Sequence, residues 1–302
     1  MDFMKVKKAV IPAAGYGTRF LPATKAQPKE MLTIVDTPVI QYVVEEAVAS
    51  GITDILIIIS RGKRALEDHF DRSFELEADL EAKGKLEELE MVRRIADLAD
   101  IHYVRQKTMN GLGDAILHAR QHVGDEPFAV LLGDTLMQPT NEVPVTRQLL
   151  DVFNRFGESV VALEEVPREK VSRYGIVSGS VVDDGVVLVS DFVEKPKPEE
   201  APSNLAIASR YVFTPEIFGH LAKVNPGKNG EIQLTDAMKM QLSGRAMYGL
   251  KVAGRRHDAG NKLDFIKTNV TYALDRPDLH DKLAEFIIAT ADELRAGGAK
   301  LK

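Results

Sequence analysis

A glycine-rich stretch near the amino terminus combines residue types that suit phosphate binding. Residues 13–32 read AAGYGTRFLPATKAQPKEML and follow an apolar run, Ala9 to Ile11, that is typical of a buried strand. Small residues at its start allow backbone N–H groups to approach an anion closely. They are Ala13, Ala14, Gly15 and Gly17. Arg19 then offers a planar fork for phosphate oxygens, and Lys29 offers a compact point charge. The stretch therefore predicts a loop that binds a polyphosphate.

Two better-known phosphate loops do not match this stretch. Gly15 and Gly17 begin like a dinucleotide fingerprint, but Phe20 stands where the third glycine belongs. A Walker A loop is excluded because no Lys-Ser or Lys-Thr pair follows a glycine at the required spacing. A strand-to-helix turn with two solvated cations stays open as the plainer interpretation.

Composition limits the function classes. The 302 residues, 44% of them hydrophobic, suffice for one large α/β domain or two smaller ones. A net charge of −6 and an aromatic content of 6% without tryptophan argue against nucleic-acid binding. Cysteine is absent, which excludes disulfides and thiol chemistry. No stretch approaches the ~20 apolar residues that span a bilayer, so we expect no membrane partner and a cytoplasmic location.

The elements that must position the loop alternate between strand and helix signals, as in βαβ units. Thr37 and Pro38 predict a helix start before an apolar helical face that ends at Gly51. Buried strands are predicted at Ile55 to Ile59 and at Phe128 to Leu132. The second is followed by Gly133-Asp134, which presents a carboxylate at the carboxyl end of a strand, where ligands bind in open α/β sheets.

The rest of the chain differs in pattern. Residues 74–98 predict a long charged helix, broken near Gly84, that projects from the sheet. A hairpin is predicted at 175–193 with its turn at 183–185, and a further strand at 204–213. Pro277 to Ala296 predicts a terminal helix that begins at the proline, followed by a frayed tail at 297–302.

Five polar clusters follow apolar runs: the opening loop, Gln106 with Asn110 to Gly113, Gly133-Asp134, Glu194-Lys195-Pro196, and His257 to Asn261. In this order they resemble the sugar-nucleotide pyrophosphorylases, from Lys7 to about Tyr272. Three segments look particular to the uridylyltransferase branch of that family: Pro28 to Leu32, His69 to Glu77, and Gly230 to Asp236.

The resemblance implies an α/β fold of the Rossmann-like nucleotidyltransferase type. Its central sheet would be mixed and mainly parallel, flanked by helices, with a small β-rich sugar-binding part. Residues 1–275 would form a single domain, with a nucleotide-binding half at about 1–150 and a sugar-binding half at about 151–275. A C-terminal helix and tail would occupy 276–302.

The resemblance also implies the activity and the role of each site residue. The reaction would join UTP to glucose 1-phosphate and yield UDP-glucose and pyrophosphate, with Mg²⁺ as cofactor. Three cations would act in catalysis, namely Arg19 facing the departing pyrophosphate, Lys29 beside the transferred phosphoryl group and Lys195 on the sugar phosphate. The expected nucleotide-binding residues are Ala14, Gly15, Gly17, Thr18, Gln106 and Gly111. The expected sugar-binding residues are Gly175, Glu194 and Lys195, and the expected metal ligands are Asp134 and Asp258.

Such a reaction suits this set of residues because a sugar phosphate is already an anionic nucleophile. It needs charge neutralisation and alignment, with no general base and no covalent intermediate. Other substrates, such as dTTP or another hexose phosphate, remain open, as does a non-catalytic sensor of sugar nucleotides. A nicotinamide dehydrogenase is disfavoured because the third glycine is missing.

Two positions depart from the family pattern, and two histidines have a spacing that could bind a metal. Thr33 stands where proline is usual, and Asp114 stands where many relatives carry histidine, which weakens the prediction of nucleotide preference. His118 and His122 share a helical spacing of four, but we favour a structural role because neither belongs to a motif.

By resemblance we also expect a homo-oligomer, dimer or tetramer. The charged segment would contribute apolar side chains to its interface, namely Leu76, Leu80, Leu86 and Leu89.

Overall fold

The computed structural model describes residues 5–227 and 230–297. Its strands are β1 (Lys8–Pro12), β2 (Thr33–Ile34), β3 (Thr37–Pro38), β4 (Asp54–Ile59), β5 (Asp100–Arg105), β6 (Phe128–Leu131), β7 (Thr135–Pro139), β8 (Ser159–Glu165), β9 (Gly175–Asp183), β10 (Val186–Glu194), β11 (Leu205–Phe213), β12 (Met247–Lys251) and β13 (Gly254–Asp258). Its α-helices are α1 (Val39–Ala49), α2 (Arg64–Phe70), α3 (Phe74–Ala82), α4 (Leu86–Ala96), α5 (Leu112–Leu117), α6 (Arg120–Val123), α7 (Val145–Phe156), α8 (Ile217–Leu221), α9 (Leu234–Gln241), α10 (Lys262–Leu274) and α11 (His280–Arg295).

A nine-stranded sheet runs through the molecule in the order β5-β4-β1-β6-β11-β8-β12-β10-β9. The neighbours among β5, β4, β1 and β6 are parallel, and so is the pair β8–β12. The other neighbours in the sheet are antiparallel. The expected mixed α/β architecture is confirmed. The expectation of a mainly parallel sheet is wrong, because four of its eight neighbouring pairs in the described residues are antiparallel, and three of the four parallel pairs lie in the amino-terminal half.

Both faces of the sheet are covered, which explains the continuous apolar runs of its central strands. In β4, Ile55, Ile57 and Ile59 point to the core that contains α1 and α7. Leu56 and Ile58 point to the opposite core, which contains α5, α6 and α9. Burial of apolar side chains on both faces therefore stabilises the strands, and the polar functional residues lie in the loops that follow them.

The four parallel strands of the amino-terminal half end at one edge of the sheet. The glycine-rich loop follows β1, Gln106 follows β5, and Asp134 follows β6 within three residues. Ala13 N–H donates to Ile58 O at 2.8 Å, and Gln106 N–H donates to Ile59 O at 2.9 Å, so the first two loops leave the sheet side by side. This carboxyl edge is where open α/β sheets bind ligands.

Two helix starts differ from the sequence prediction. Thr37–Pro38 pairs with Thr33–Ile34 as a short antiparallel ribbon, and α1 begins only at Val39. The terminal helix α11 begins at His280 and not at Pro277, because Leu279 N–H and His280 N–H both bond Arg276 O in a turn. The predicted tail lies mostly outside the described residues, at 298–302.

The charged segment is broken where predicted, at Gly84 with φ +68°, and forms the helices α3 and α4. Its expected interface set is wrong for Leu80 and Leu89, which are buried within the chain because α3 and α4 pack on each other and α4 packs on α2. Leu76 and Leu86 are exposed. The segment is thus a partly packed hairpin and not a free projection.

In the described residues, no helix combines the length and the apolar character that crossing a membrane requires.

Candidate functional site

Four charged side chains meet beside Gly260 at the carboxyl edge of the sheet. A Cβ built on Gly260 would lie 2.8 Å from Asp258 Oδ1 and 3.3 Å from Asp134 Oδ2, so both carboxylates border one point. Lys29 Nζ lies 2.5 Å from Asp134 Oδ2, and Arg19 Nη1 donates to Gly260 O at 3.4 Å. The structure therefore brings together four predicted site residues that are distant in sequence.

An antiparallel ribbon of β7 and β13 holds the two carboxylates next to each other. Its register pairs Thr135 with Asp258, and Ala259 N–H donates to Asp134 O at 3.0 Å. Asp258 Oδ1 accepts a hydrogen bond from Gly260 N–H at 2.7 Å, which orients this carboxylate. Glycine at 260 is required because any side chain would fill the space between the carboxylates.

The charges of Lys29 and Asp134 stabilise each other. Burial alone would raise the pKa of Asp134, but the contact with the Lys29 ammonium outweighs it and holds the pKa below its ordinary value. Burial likewise opposes the charge of Lys29, and the carboxylates of Asp134 and Glu30 nevertheless raise its pKa. Both groups are therefore ionised at neutral pH, which suits a cation beside a phosphate and a carboxylate beside a metal.

A buried ion pair behind Lys29 was not predicted from the sequence. Glu30 and Lys63 are 1% and 5% exposed, and Lys63 Nζ donates to Glu30 Oε2 at 2.6 Å. Burial raises the pKa of Glu30 and lowers that of Lys63. Glu30 Oε1 also lies 4.0 Å from Lys29 Nζ. The only sequence signal was the place of Glu30 within the Pro28 to Leu32 motif.

The glycine-rich loop wraps around the Lys29 side chain. A Cβ on Gly17 would lie 2.9 Å from Lys29 Cβ, and Gly17 adopts φ +66°, so a glycine is required there. Thr18 begins a short 3₁₀-helix, Thr18–Phe20, that carries Arg19. Ala14 O accepts a hydrogen bond from Ser60 Oγ at 2.7 Å, which orients the peptide group at the start of the loop.

Gln106 and Gly111 form a second cluster at the same edge. Gln106 is 3% exposed, and its Nε2 donates to Asp114 Oδ2 at 2.6 Å and to Gly111 O at 3.3 Å. Gly111 has φ +97°, and a Cβ there would lie 2.8 Å from Glu231 Cβ. Asp114, the residue that departs from the family pattern, thus orients the Gln106 amide.

Arg210 supports the metal-side strand from within the core and was also missed from the sequence. Its Nη2 donates to Thr135 O at 2.9 Å and to Glu46 Oε2 at 2.6 Å. Arg210 is 1% exposed, and Glu46 also accepts from the backbone N–H and Oγ1 of Thr146. Since Thr135 directly follows Asp134, this buried pair anchors the segment that carries the carboxylate.

The predicted sugar residues line a separate cavity of about 290 Å³. A Cβ on Gly175 would lie 3.2 Å from Glu194 Oε2, and Thr235 Oγ1 donates to the same oxygen at 2.7 Å. Lys195 Nζ donates to Glu194 Oε1 at 2.6 Å. Lys195 lies at a bend after β10 and adopts φ +48°, a backbone conformation that is uncommon for residues other than glycine.

A larger cleft of about 970 Å³ joins these clusters. Its walls include Arg19, Asp258 and Lys195. It shares Tyr174 and Arg256 with the smaller cavity. The cleft that contains Asp258 is therefore continuous with the cavity that contains Glu194 and Lys195.

The histidines stand apart from this chemistry. His257 is buried, its Nε2 lies 3.2 Å from Gln138 Oε1, and burial lowers its pKa to about 4, so it is neutral and structural. His118 Nδ1 lies 2.8 Å from Asp114 O. His122 does not pair with His118 but with Asp54, at 2.7 Å.

Comparisons with known proteins identify the family. The Nucleotidyl transferase profile matches residues 8–274. The chain belongs to this family. A curated relative from Bacillus subtilis (strain 168), UTP–glucose-1-phosphate uridylyltransferase, is 52% identical over 283 residues, which are 94% of this chain and 96% of the relative.

Solved structures agree with these sequence relatives. A UDP-glucose pyrophosphorylase complexed with UDP-glucose is 44% identical, with a TM-score of 0.83 over 90% of this chain and 100% of that one. A UTP-bound UGPase from Acinetobacter baumannii is 38% identical, with a TM-score of 0.86 over 94% of this chain and 99% of that one. The resemblance to the sugar-nucleotide pyrophosphorylases is thereby confirmed.

Proposed function

We propose that this chain transfers the uridylyl group of UTP to glucose 1-phosphate, forming UDP-glucose and releasing pyrophosphate. The observation that carries the proposal is the carboxylate pair beside Gly260, of which Asp134 contacts Lys29. Asp258 of this pair lines one cleft together with Arg19 and Lys195. Curated relatives that match 94% of the chain at 52% identity are named for this activity.

The reaction is a single displacement at phosphorus. A phosphate oxygen of glucose 1-phosphate attacks the α-phosphorus of UTP, and the bond from that phosphorus to the bridging oxygen of pyrophosphate breaks. The nucleophile is already an anion, so the site has to neutralise charge and align the two substrates. A set of cations placed along one cleft meets that need.

We assign the cations by their places in the cleft. Arg19 faces the departing pyrophosphate, where its planar fork suits two phosphate oxygens. Lys29, held by Asp134 and Glu30, lies beside the transferred phosphoryl group. Lys195, which lines the same cleft as Arg19, binds the phosphate of the sugar.

We infer that the divalent metal is Mg²⁺ and that Asp134 and Asp258 hold it. Mg²⁺ prefers oxygen ligands and takes one or two protein carboxylates together with phosphates and water. Two carboxylates border one point next to Gly260, and Asp134 is ionised at neutral pH. When bound, the metal would draw the triphosphate oxygens together and lower the cost of the charge that develops on them.

The nucleotide half of the proposal rests on the loop after β1 and on Gln106. Because Nε2 of Gln106 is committed to Asp114, its Oε1 is left to accept the N3–H of uracil. Backbone groups complete this part of the site, at Ala14, Gly15, Gly17, Thr18 and Gly111. Thymine differs from uracil only by a methyl group, worth about 1–3 kcal/mol in a pocket, so we expect dTTP to be a detectable second substrate.

The sugar half rests on β9 and β10. The Glu194 carboxylate accepts hydrogen bonds from the hexose hydroxyls, and Thr235 orients this carboxylate by donating to its Oε2. Gly175 leaves the space beside the Glu194 carboxylate open to the hexose, because a Cβ there would lie 3.2 Å from Glu194 Oε2. The proposal thus divides a single domain, residues 1–275, into a nucleotide-binding half and a sugar-binding half.

The direct test is pyrophosphate release across a matrix of nucleoside triphosphates and sugar 1-phosphates. We expect the highest kcat/KM with UTP and glucose 1-phosphate, a lower value with dTTP, and negligible values with ATP and GTP. A purine triphosphate that outperforms UTP would refute the uridylyl assignment and leave the reaction class standing.

The metal assignment is tested with Asp134→Asn, which removes a charge and keeps the shape. We expect kcat to fall by a factor of ~10³ or more, because one metal ligand at the reacting phosphate is lost. Asp151→Asn on the surface of α7 is the matched control and should retain wild-type turnover. Near-native turnover of Asp134→Asn with unchanged Mg²⁺ dependence would contradict the assignment.

The sugar-phosphate role is tested with Lys195→Ala and with Lys197→Ala as control. Lys197 is a neighbouring exposed lysine, paired with Glu200 on the surface. We expect Lys195→Ala to lower kcat/KM for glucose 1-phosphate by about 1.5–3 kcal/mol, or roughly 10–150-fold, as for one charge-assisted contact. An equal loss of UTP affinity measured without sugar would contradict this role.

We further propose that the chain forms a homo-oligomer, dimer or tetramer, through its C-terminal helices. The 16-residue helix α11 has no buried side chain within the chain and exposes Phe286, Ile288 and Leu294. Neighbouring α10 exposes Leu263 and Ile266. Helices draw most of their stability from tertiary packing of an apolar face, so a second copy is the natural cover.

Sedimentation velocity tests the interface. We expect Phe286→Lys and Ile288→Lys each to shift the protein toward monomer. A wild-type chain that sediments as a monomer at all concentrations would contradict the proposal. A cytoplasmic location stays a prediction.

A further inference from the structure

Three metal-ligating side chains converge at the edge of the sheet opposite the candidate active site. Asp54 is the first residue of β4, His102 lies near the start of β5, and His122 lies in α6. One ligand atom from each lies within 4.8 Å of the others. None of the three belongs to the cleft described above.

The sheet register explains why they meet. Asp54 pairs with Asp100 and Leu56 pairs with His102, so the side chains of Asp54 and His102 share one face of the parallel sheet. That face carries α6, because Val123 packs in the same core cluster as Leu56. His122 precedes Val123 in α6, and its Nε2 lies 2.7 Å from Asp54 Oδ1.

Lys8 fixes α6 at this position. Its Nζ donates to His122 O at 3.0 Å and to Val123 O at 3.3 Å, and it pairs with Glu126 at 3.3 Å. The Lys8 ammonium thus contacts α6 and the turn that follows it, whereas the Asp54 carboxylate contacts the two imidazoles. His122 is held by its backbone independently of its ring.

The distances suit a tetrahedral ion after small side-chain shifts. His122 Nε2 and His102 Nε2 lie 2.7 and 3.8 Å from the same oxygen, Asp54 Oδ1. Ligands about 2.0–2.1 Å from a tetrahedral metal lie roughly 3.3 Å apart, a value between these two. The side chains of Asp54 and His102 are 33% and 54% exposed, so an ion can enter and a water can complete the shell.

We propose that Asp54, His102 and His122 form a binding site for a divalent transition metal of the Zn²⁺ class, with water as the fourth ligand. Two imidazole nitrogens and one carboxylate oxygen suit Zn²⁺, Co²⁺ or Ni²⁺ and disfavour Mg²⁺, which selects oxygen ligands. The bound ion links β4, β5 and α6 and stabilises the fold. It lies apart from the reacting phosphates.

The test is isothermal titration with Zn²⁺, with Co²⁺ as a spectroscopic probe, on full-length chelator-treated protein. An Asp134→Asn background in excess Mg²⁺ keeps the candidate active site from competing. We expect one ion per chain, visible d–d absorption of tetrahedral Co²⁺, and a rise in Tm of roughly 4 °C when free Zn²⁺ is ~100 times its Kd.

Variants separate this site from its rivals. His122→Gln and His102→Gln should each weaken Zn²⁺ binding by ~100-fold or more. Even the loss of a residue that only hydrogen-bonds a metal ligand typically weakens metal binding by about 10–100-fold, and here a ligand itself is lost. The matched control is His118→Gln, which removes the histidine four residues from His122 and should bind as the wild type does. Circular dichroism reports whether each variant is folded, and so does UDP-glucose formation without Zn²⁺ by the same histidine variants made with Asp134 intact.

Three outcomes overturn the proposal. The first is that the wild-type chain binds no Zn²⁺, in which case the cluster is only an imidazole–carboxylate pair. The second is that His122→Gln and His102→Gln bind Zn²⁺ as tightly as the wild type. The third is that the His118→Gln control loses as much affinity as they do.

Discussion

The buried pair of Arg210 and Glu46 gives a stability prediction that also reaches the metal side of the site. We consider Arg210→Met, which keeps the length of the side chain and removes the guanidinium. Removing one partner of a buried ion pair costs about 3–5 kcal/mol because the other charge stays buried. Thr146 still donates two hydrogen bonds to Glu46, so we expect the lower end, about 3 kcal/mol. At about 2 °C per kcal/mol for a large domain, Tm should fall by ~6 °C.

A double-mutant cycle isolates the pairwise contribution. Urea unfolding at 25 °C would be measured for Arg210→Met, for Glu46→Leu and for the double variant. Because two apolar side chains can replace a buried pair at little cost, the double variant should be destabilised by at least ~2 kcal/mol less than the sum of the singles. Arg210→Met should also raise the Mg²⁺ concentration that gives half-maximal activity, since Thr135 O loses its donor beside Asp134.

A surface pair provides the control. Arg245 is 35% exposed and pairs with Glu158 at 2.9 Å, so Arg245→Met should cost about 1 kcal/mol or less. Additivity within ~0.5 kcal/mol in the Arg210–Glu46 cycle would refute the reasoning, as would a wild-type Mg²⁺ response of Arg210→Met.

Two further predictions concern a glycine and a carboxylate. Gly111→Ala places a Cβ at φ +97° and 2.8 Å from Glu231 Cβ, so kcat/KM for UTP should fall ~10-fold or more. Gly51→Ala, at φ +88° in open space, should lose only stability, and equal UTP kinetics in both variants would contradict the contact argument. The Arg72 hydrogen bond lowers the pKa of Glu77 to about 2, so its stabilising effect is complete above the ordinary value of 4.5 and lost as pH falls toward 2. Glu77→Gln should flatten the dependence of Tm on pH between 6 and 3, and a slope as steep as the wild-type slope would argue against it.

Much of the architecture follows from local patterns in the sequence. The apolar runs of β1, β4 and β6 are continuous because both faces of the sheet are covered, and the polar residues that follow them must reach one edge when the strands are parallel. The hairpin turn at 183–185 lies where its Asp-Asp-Gly signal predicts it. These features depend on short-range spacing, which the sequence contains in full.

The ends of helices, and the neighbours that cover their apolar faces, were predicted less accurately from the sequence. The terminal helix begins three residues after the predicted proline because the turn at Arg276 takes the first hydrogen bonds. Leu80 and Leu89 looked like interface residues, but the partners that bury them come from α2 and from the facing helix of their own hairpin. A charged amphipathic segment does not reveal which neighbour covers its apolar side.

Contacts between distant segments were decided by the tertiary structure alone. Lys29 meets Asp134 across 105 residues, and Arg210 meets Glu46 across 164. Asp54, His102 and His122 meet only because the strand register and the packing of α6 bring them to one corner. Sequence patterns specify residue types and local periodicity, whereas the relative placement of side chains on separate elements depends on how the whole core packs.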